Sequence, residues 1–295
     1  MATISRIQPA EAELRLFDRH DKGYGTYYSG VVEAKDREVK ISWRQAETES
    51  GHAYVLATGW LGAKDSMRVP AHEAVRWGHA AITFDYSNQK PDDPIGENVK
   101  DLAAVLDALP EYYRKHALGL SMGGYVTAKA VEDNPNRVEE ATLVASAGFI
   151  TGQHSLLEVG KHLSSTLPEF AGLSLHHPGQ AAHLWLNSVR NGIHRAKAVG
   201  PELAHMMKYP IHESVSNIKA HPTPPRMNFL YGAADGLIPA YAQVEGVDGL
   251  PFDHVESYAG RHINLIHDPQ VSRSIFRLHE LQQSPDYAGY GSVAA

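Results

Sequence analysis

The chain has 295 residues, 43% hydrophobic and 21% charged, the usage of a soluble globular protein long enough to bury most of the surface its unfolded form exposes. It contains no cysteine, which excludes a disulfide framework, thiolate metal sites and a cysteine nucleophile. Its 27 Lys+Arg against 34 Asp+Glu leave a net charge of −7, so no phosphate-neutralising nucleic-acid partner is expected.

The first residues, Met1 to Pro9, lack an apolar core segment and a small-residue cleavage site, so no signal peptide is read. No apolar run approaches the ~18 residues of a membrane span, and a cytoplasmic location is the expectation. Val39, Ile41 and Trp43 alternate with polar residues, the period of a strand. Ala53 to Ala57 and Ala80 to Phe84 are continuous apolar runs, expected of strands buried on both faces. Val69 to Trp77 between them reads as a helix. Val99, Leu102, Val105, Leu106 and Leu109 recur at helical spacing and stop at Pro110. A strand over His116–Leu120, a helix from Met122 toward Asp133 and a strand around Ala141–Ser146 follow. This alternation predicts βαβ units and a mainly parallel sheet.

After Phe149 the rhythm changes. Leu156–Leu167, Gln180–Arg190 and Glu202–Met207 read as helical, with Gly and Pro breaks between them. His221-Pro-Thr-Pro-Pro225 punctuates the chain, and strands return at Arg226–Tyr231 and Val255–Tyr258. We therefore expect one discontinuous α/β core, residues 1–149 and 223–283, carrying a helical cap over 150–222, with 284–295 as a flexible tail.

Gly119-Leu120-Ser121-Met122-Gly123, followed by Gly124, fits the nucleophile-elbow pattern. Such an elbow is a sharp strand-to-helix turn that lifts a serine hydroxyl above the carboxyl end of the sheet, and small flanking residues let the turn close. A chain with 25 glycines can produce the pentapeptide by accident. Its position between a predicted strand and a predicted helix gives it weight. A nucleophilic serine needs a base, and the base an orienting acid, in chain order Ser, Asp/Glu, His on this architecture. Asp235, in Gly232-Ala-Ala-Asp-Gly-Leu-Ile-Pro239, follows one predicted strand, and His262, in Gly260-Arg-His, follows the last. Both fall on loops at the edge that carries the elbow. Asp235-Gly236 is also an ordinary turn dipeptide. Asp248 and Asp253 are rival acids without a preceding strand, and His254 and His267 are rival bases before and beyond the expected loop. The oxyanion of a tetrahedral intermediate would be met by the N–H of Met122 at the helix start and by the N–H of Trp60, in Thr58-Gly59-Trp60-Leu61-Gly62 after the first buried strand.

Together these motifs resemble the capped serine hydrolases, carboxylesterase- or lipase-like, of the α/β-hydrolase superfamily, over roughly residues 30–280. The resemblance implies an α/β fold with a mostly parallel eight-stranded sheet, helices on both faces and a helical cap inserted after strand 6. It implies hydrolysis of a carboxylic ester or related acyl compound through an acyl-enzyme, with no cofactor. C–C bond hydrolases, thioesterases and acyltransferases share the same Ser-His-Asp motifs, and a non-catalytic binding protein is the rival from another class. The substrate expected is a small acyl compound, partly apolar if Leu156, Leu157, Leu184, Trp185, Leu186, Met206 or Met207 reach it from the cap. Thr58 is a departure, because histidine usually precedes this glycine. Serine at 121 argues against the dehalogenases and epoxide hydrolases, which place aspartate there.

Of 18 histidines, chain order singles out one. His154, His162, His176, His177, His183, His194, His205 and His212 crowd the insertion, but no His-Glu-x-x-His occurs. They read as polar-face residues, and no metal site is expected.

Overall fold

In the computed structural model the residues described are 12–22, 25–47, 50–59, 62–87, 93–149, 201–202, 204–206, 208–262 and 264–283. They form nine strands, β1 (Ala12–Lys22), β2 (Gly25–Ala34), β3 (Arg37–Ala46), β4 (His52–Ala57), β5 (Ala80–Phe84), β6 (Arg114–Leu120), β7 (Glu140–Val144), β8 (Arg226–Gly232) and β9 (His254–Tyr258). The main helices are α1 (Arg68–Arg76), α2 (Pro94–Ala108), α3 (Met122–Asp133), α4 (His212–Lys219), α5 (Ala240–Val247), α6 (Asn264–His267) and α7 (Pro269–Gln283).

One sheet holds all nine strands in the order β1-β2-β3-β5-β4-β6-β7-β8-β9. The first three form an antiparallel meander that joins β5 antiparallel, and β5, β4, β6, β7, β8 and β9 run parallel. The α/β class and the mostly parallel sheet are as expected, and the described residues give nine strands where eight were expected. The unforeseen elements are β1 and β2. At the sheet edge only one face of each is covered, so Leu14 and Leu16 pack on the core while Glu13, Arg15 and Arg19 alternate with them. That half-polar pattern, interrupted by an irregularity between Phe17 and Arg19 with Asp18 at φ 45°, is a faint strand signal. Helix α2 also begins a turn earlier than its apolar spacing suggested. The Asp93 side chain caps it by accepting from the Gly96 N–H at 3.0 Å, and Pro94 opens it.

Every residue of β4, β5 and β7 is buried, because helices cover both faces. The two-residue period of a strand sorts the side chains between them. Val55, Ile82, Phe84, Ala117, Leu143 and Phe229 pack with Leu102, Leu106, Val126 and Val215 of α2, α3 and α4. On the other face Tyr54, Leu56, Ala81, Leu118, Leu120 and Leu230 pack with Ala71, Val75, Ile275 and Phe276 of α1 and α7. The chain leaves β4 toward β5 on one side and returns to β6 on the other. The carboxyl ends of β4 and β6 therefore flank a topological switch point, where open α/β sheets form their crevice.

Most of the predicted cap, 150–200, and the predicted tail, 284–295, lie outside the described residues. Within 201–222, α4 packs on α3 through Val215 and Ile218, in the same core as the sheet. Asn98 on α2 donates to Glu202 at 3.0 Å, and Tyr125 on α3 donates to the Tyr209 carbonyl at 2.7 Å.

A buried ionic cluster ties the meander to the parallel sheet. Arg37, opening β3, donates to Asp101 at 3.0 Å and Glu97 at 3.3 Å, and all three side chains are at most 3% exposed. Asp101 also accepts from the backbone N–H of Ser87 at 2.6 Å. Burial pushes the Asp101 carboxyl up, and the hydrogen bonds from Ser87 and Arg37 pull against it. Removing the arginine takes away the cation the two buried carboxylates share, leaving Glu97 with Lys100 at 2.9 Å and Asp101 with the Ser87 donors. Arg37→Met is expected to destabilise the fold by roughly 3–5 kcal/mol in urea unfolding, and a loss below about 1 kcal/mol would show the cluster to be dispensable.

Candidate active site

Three loops at the carboxyl edge of the sheet carry the predicted residues. Ser121 stands between β6 and α3 with φ 56° and ψ −119°, a conformation that costs a non-glycine residue on the order of 1–3 kcal/mol. Its backbone is held on both sides. The Ser121 N–H donates to the Val144 carbonyl at 2.9 Å, and its own carbonyl accepts from Gly124, Tyr125 and Ala147 at 3.0, 3.3 and 3.0 Å. The glycines make room for this crossing. A Cβ at Gly119 would lie 2.2 Å from the Gly123 carbonyl oxygen, and one at Gly123 would lie 2.3 Å from that of Ala57 at the end of β4. Gly124 sits against Ser146, and Gly59 faces Ser121, where a Cβ would come within 3.1 Å of the Ser121 Cβ. Met122 is the first residue of α3 and is buried, so its amide lies in the first helical turn, where backbone donors lack helical acceptors.

The loop after β4 is shaped by side chains as well as by glycine. The Tyr86 hydroxyl donates to the Thr58 carbonyl at 3.1 Å, and the Gly62 N–H to the Gly59 carbonyl at 3.1 Å. Thr58 is buried and its hydroxyl occupies the space where a Cβ on Gly62 would stand. A compact threonine thus fills the position at which the resemblance expected histidine. Trp60, the predicted second oxyanion donor, lies outside the described residues.

Asp235 and His262 are brought together. The His262 Nδ1 stands 2.8 Å from the Asp235 Oδ2, and both side chains are buried, at 5% and 0% exposure. A carboxylate can only accept, so Nδ1 is the donor in this pair and Nε2 is the ring nitrogen left out of it. The other carboxylate oxygen, Oδ1, accepts from the N–H groups of Leu237 and Ile238, each at 2.9 Å. The two loops are stitched by backbone. Ala233 donates to the Tyr258 carbonyl at 3.0 Å and Ala234 to that of Gly260 at 2.9 Å. Gln243 on α5 adds a donor to Asp235 Oδ2 at 3.2 Å. Nothing in the sequence marks it, since a glutamine on a helix carries no motif. Of the rival residues, Asp253 and His254 are bound elsewhere. Asp253 binds Lys219 at 2.8 Å and the Met227 N–H at 2.7 Å, His254 opens β9 and contacts Glu256 at 3.1 Å, and His267 ends α6.

The remaining described histidines include a buried group at the opposite, amino end of the parallel strands. There the ring nitrogens of His52 and His116 lie 2.8 Å apart, and Ser50 bonds His79 at 2.7 Å. His154, His162, His176, His177, His183 and His194 lie outside the described residues. No group of His, Asp and Glu among the described residues has the arrangement of a metal site.

No family model matches the sequence, and no curated protein matches it. Solved structures do. The bromoperoxidase from Bacillus anthracis matches over 85% of this chain and 99% of its own, with a TM-score of 0.64 and 14% identity. The enol-lactonase from Burkholderia xenovorans LB400 matches over 82% and 96%, with a TM-score of 0.64 and 16% identity. The thioesterase domain from the curacin biosynthetic pathway matches over 85% and 99%, with a TM-score of 0.62 and 12% identity. The fold is that of the α/β-hydrolase superfamily. At these identities the likeness carries the fold alone, and function has to be argued from the site.

The elbow leaves no room at Gly123. Gly123→Ala is expected to cost roughly 2 kcal/mol or more in urea unfolding, because its Cβ meets backbone of β4 and not a side chain that can rotate away. Wild-type stability in this variant would mean that the strand–helix crossing is looser than described.

Proposed function

We propose that the protein is a serine hydrolase that cleaves a carboxylic ester or related acyl compound through an acyl-enzyme. The observation that carries this reading is the pairing of His262 with Asp235 at 2.8 Å, on the sheet edge that also bears Ser121 in the strained elbow conformation. In this reading the Ser121 hydroxyl attacks the acyl carbon while His262 Nε2 takes its proton. The same nitrogen then returns the proton to the leaving group. Asp235 holds the imidazole in the tautomer with a free Nε2 and stabilises the imidazolium as it forms. The N–H of Met122, with that of Trp60 as its partner, would receive the negative charge on the substrate oxygen. Water, deprotonated by His262, releases the acid and frees the serine. In acylation the Ser121 oxygen gives the electron pair and its proton passes through His262 to the leaving group, and in deacylation water gives the electron pair and one of its protons passes through His262 back to Ser121.

The elbow, the acid–histidine pair and the fold support nucleophilic acyl chemistry in general. Structures that share the fold include an enol-lactonase and a thioesterase domain, so fold analogy does not choose the bond. The substrate is proposed to be a small acyl compound, and ester hydrolysis is the reading to test first.

A fluorophosphonate probe is expected to label the wild-type protein and not Ser121→Ala. Turnover of p-nitrophenyl esters of graded chain length is expected to fall by roughly 10³-fold or more in Ser121→Ala and His262→Ala. A folded wild type that takes no label would overturn the nucleophile assignment. Labelling with no turnover of any ester in the panel would move the reading to thioester, C–C bond or acyl-transfer chemistry on the same residues.

A further inference from the structure

We propose that Gln243 is a positioning residue for the acid–base pair, its side-chain amide bridging the Asp235 carboxylate to the Ile238 carbonyl and so fixing the oxygen that orients His262. The inference rests on the serine hydrolase reading and extends it to a residue outside the triad. Gln243 lies one turn into α5 and is fully buried. Its Nε2 donates to Asp235 Oδ2 at 3.2 Å and to the carbonyl of Ile238. Both partners are acceptors, so only the NH₂ end of the amide can face them, which fixes its orientation. Ile238 in turn donates its own N–H to Asp235 Oδ1 at 2.9 Å. The carboxylate, the turn from 235 to 238 and the first turn of α5 therefore close into one hydrogen-bonded unit. The oxygen that Gln243 contacts is the one that accepts from His262 Nδ1 at 2.8 Å.

A second observation separates this role from ordinary packing. With both amide hydrogens used, the Gln243 Oε1 is buried and meets no donor among the described residues. Such an oxygen is a cost to the folded state. An apolar side chain at this place would avoid that cost but would take a donor from both the Ile238 carbonyl and the Asp235 carboxylate, so what the buried amide provides is its two donors to those acceptors. The geometry also gives a sign. Asp235 and His262 are the ionisable groups in the hydrogen bonds of this unit. Taking a donor from the carboxylate leaves more of its charge to the imidazole, and placing a second carboxylate there adds charge outright. Both favour protonated His262, the form that cannot act as base, so activity needs a higher pH.

The experiment measures the rate of fluorophosphonate labelling of Ser121 against pH for wild type, Gln243→Leu and Gln243→Glu, each first shown to be folded by circular dichroism. Gln243→Leu is expected to label roughly three- to tenfold more slowly near neutral pH. In Gln243→Glu the midpoint of the acidic limb is expected to move up by about one pH unit or more. A labelled wild type whose limb and rate are shared by both variants would overturn the Gln243 assignment and leave the triad standing. A folded wild type that is never labelled would overturn the triad reading and this inference with it. Should Gln243→Glu not fold, the rate for Gln243→Leu decides: slower by threefold or more supports the role, and unchanged within twofold contradicts it.

Discussion

The close crossing of β6, α3 and the end of β4 is the constraint on which the rest of the site depends. Gly119 and Gly123 bring backbone to within a distance that no Cβ tolerates, and Ser121 between them is forced to φ 56°. The strain is held by hydrogen bonds to β7 and to the loop that follows it, so the serine's conformation depends on the neighbouring strand. Strain at a single residue is affordable because fully buried strands surround it on both sides. The elbow is thus a property of the whole parallel sheet, expressed at one residue.

Asp235 and His262 are held by a different device. Each hangs from the end of a parallel strand, β8 or β9, and backbone hydrogen bonds from Ala233 and Ala234 keep the two loops in register. Asp235 is enclosed by donors from its own turn, from His262 and from α5. A carboxylate fixed on both oxygens cannot swing, and the imidazole it holds cannot turn over. Two rigid attachments therefore converge on one edge, the serine by steric necessity and the Asp235–His262 pair by hydrogen bonding.

Much of this was legible in the sequence wherever chemistry or turn geometry dictates residue type. The glycines around Ser121, the acid after one apolar strand and the histidine after the next announce themselves by kind and order. The continuous apolar runs at Ala53–Ala57 and Ala80–Phe84 gave strands that are buried on both faces, as expected. What escaped was settled by tertiary contact. The β1–β2 hairpin has a solvated face, so its charges masked its alternation. Arg37, Glu97 and Asp101 look like solvated surface residues and are instead buried against one another. Gln243 is invisible because its importance lies in which oxygen it meets. The excess of histidines divides in the same way. His262 was picked out by order, whereas the buried contact of His52 with His116 at the other end of the sheet needed the strand pairing to be seen.

In the proposed mechanism Ser121, activated by His262 and Asp235, carries the acyl group between substrate and water. This transfer is tested most directly by mass spectrometry of the peptide containing Ser121 after acid quench of the protein turning over a p-nitrophenyl ester. The mass of the acyl group is expected on Ser121, and is expected to be absent when the quench follows exhaustion of the ester. Hydrolysis with no adduct on Ser121, or with the acyl group on another residue, would contradict it.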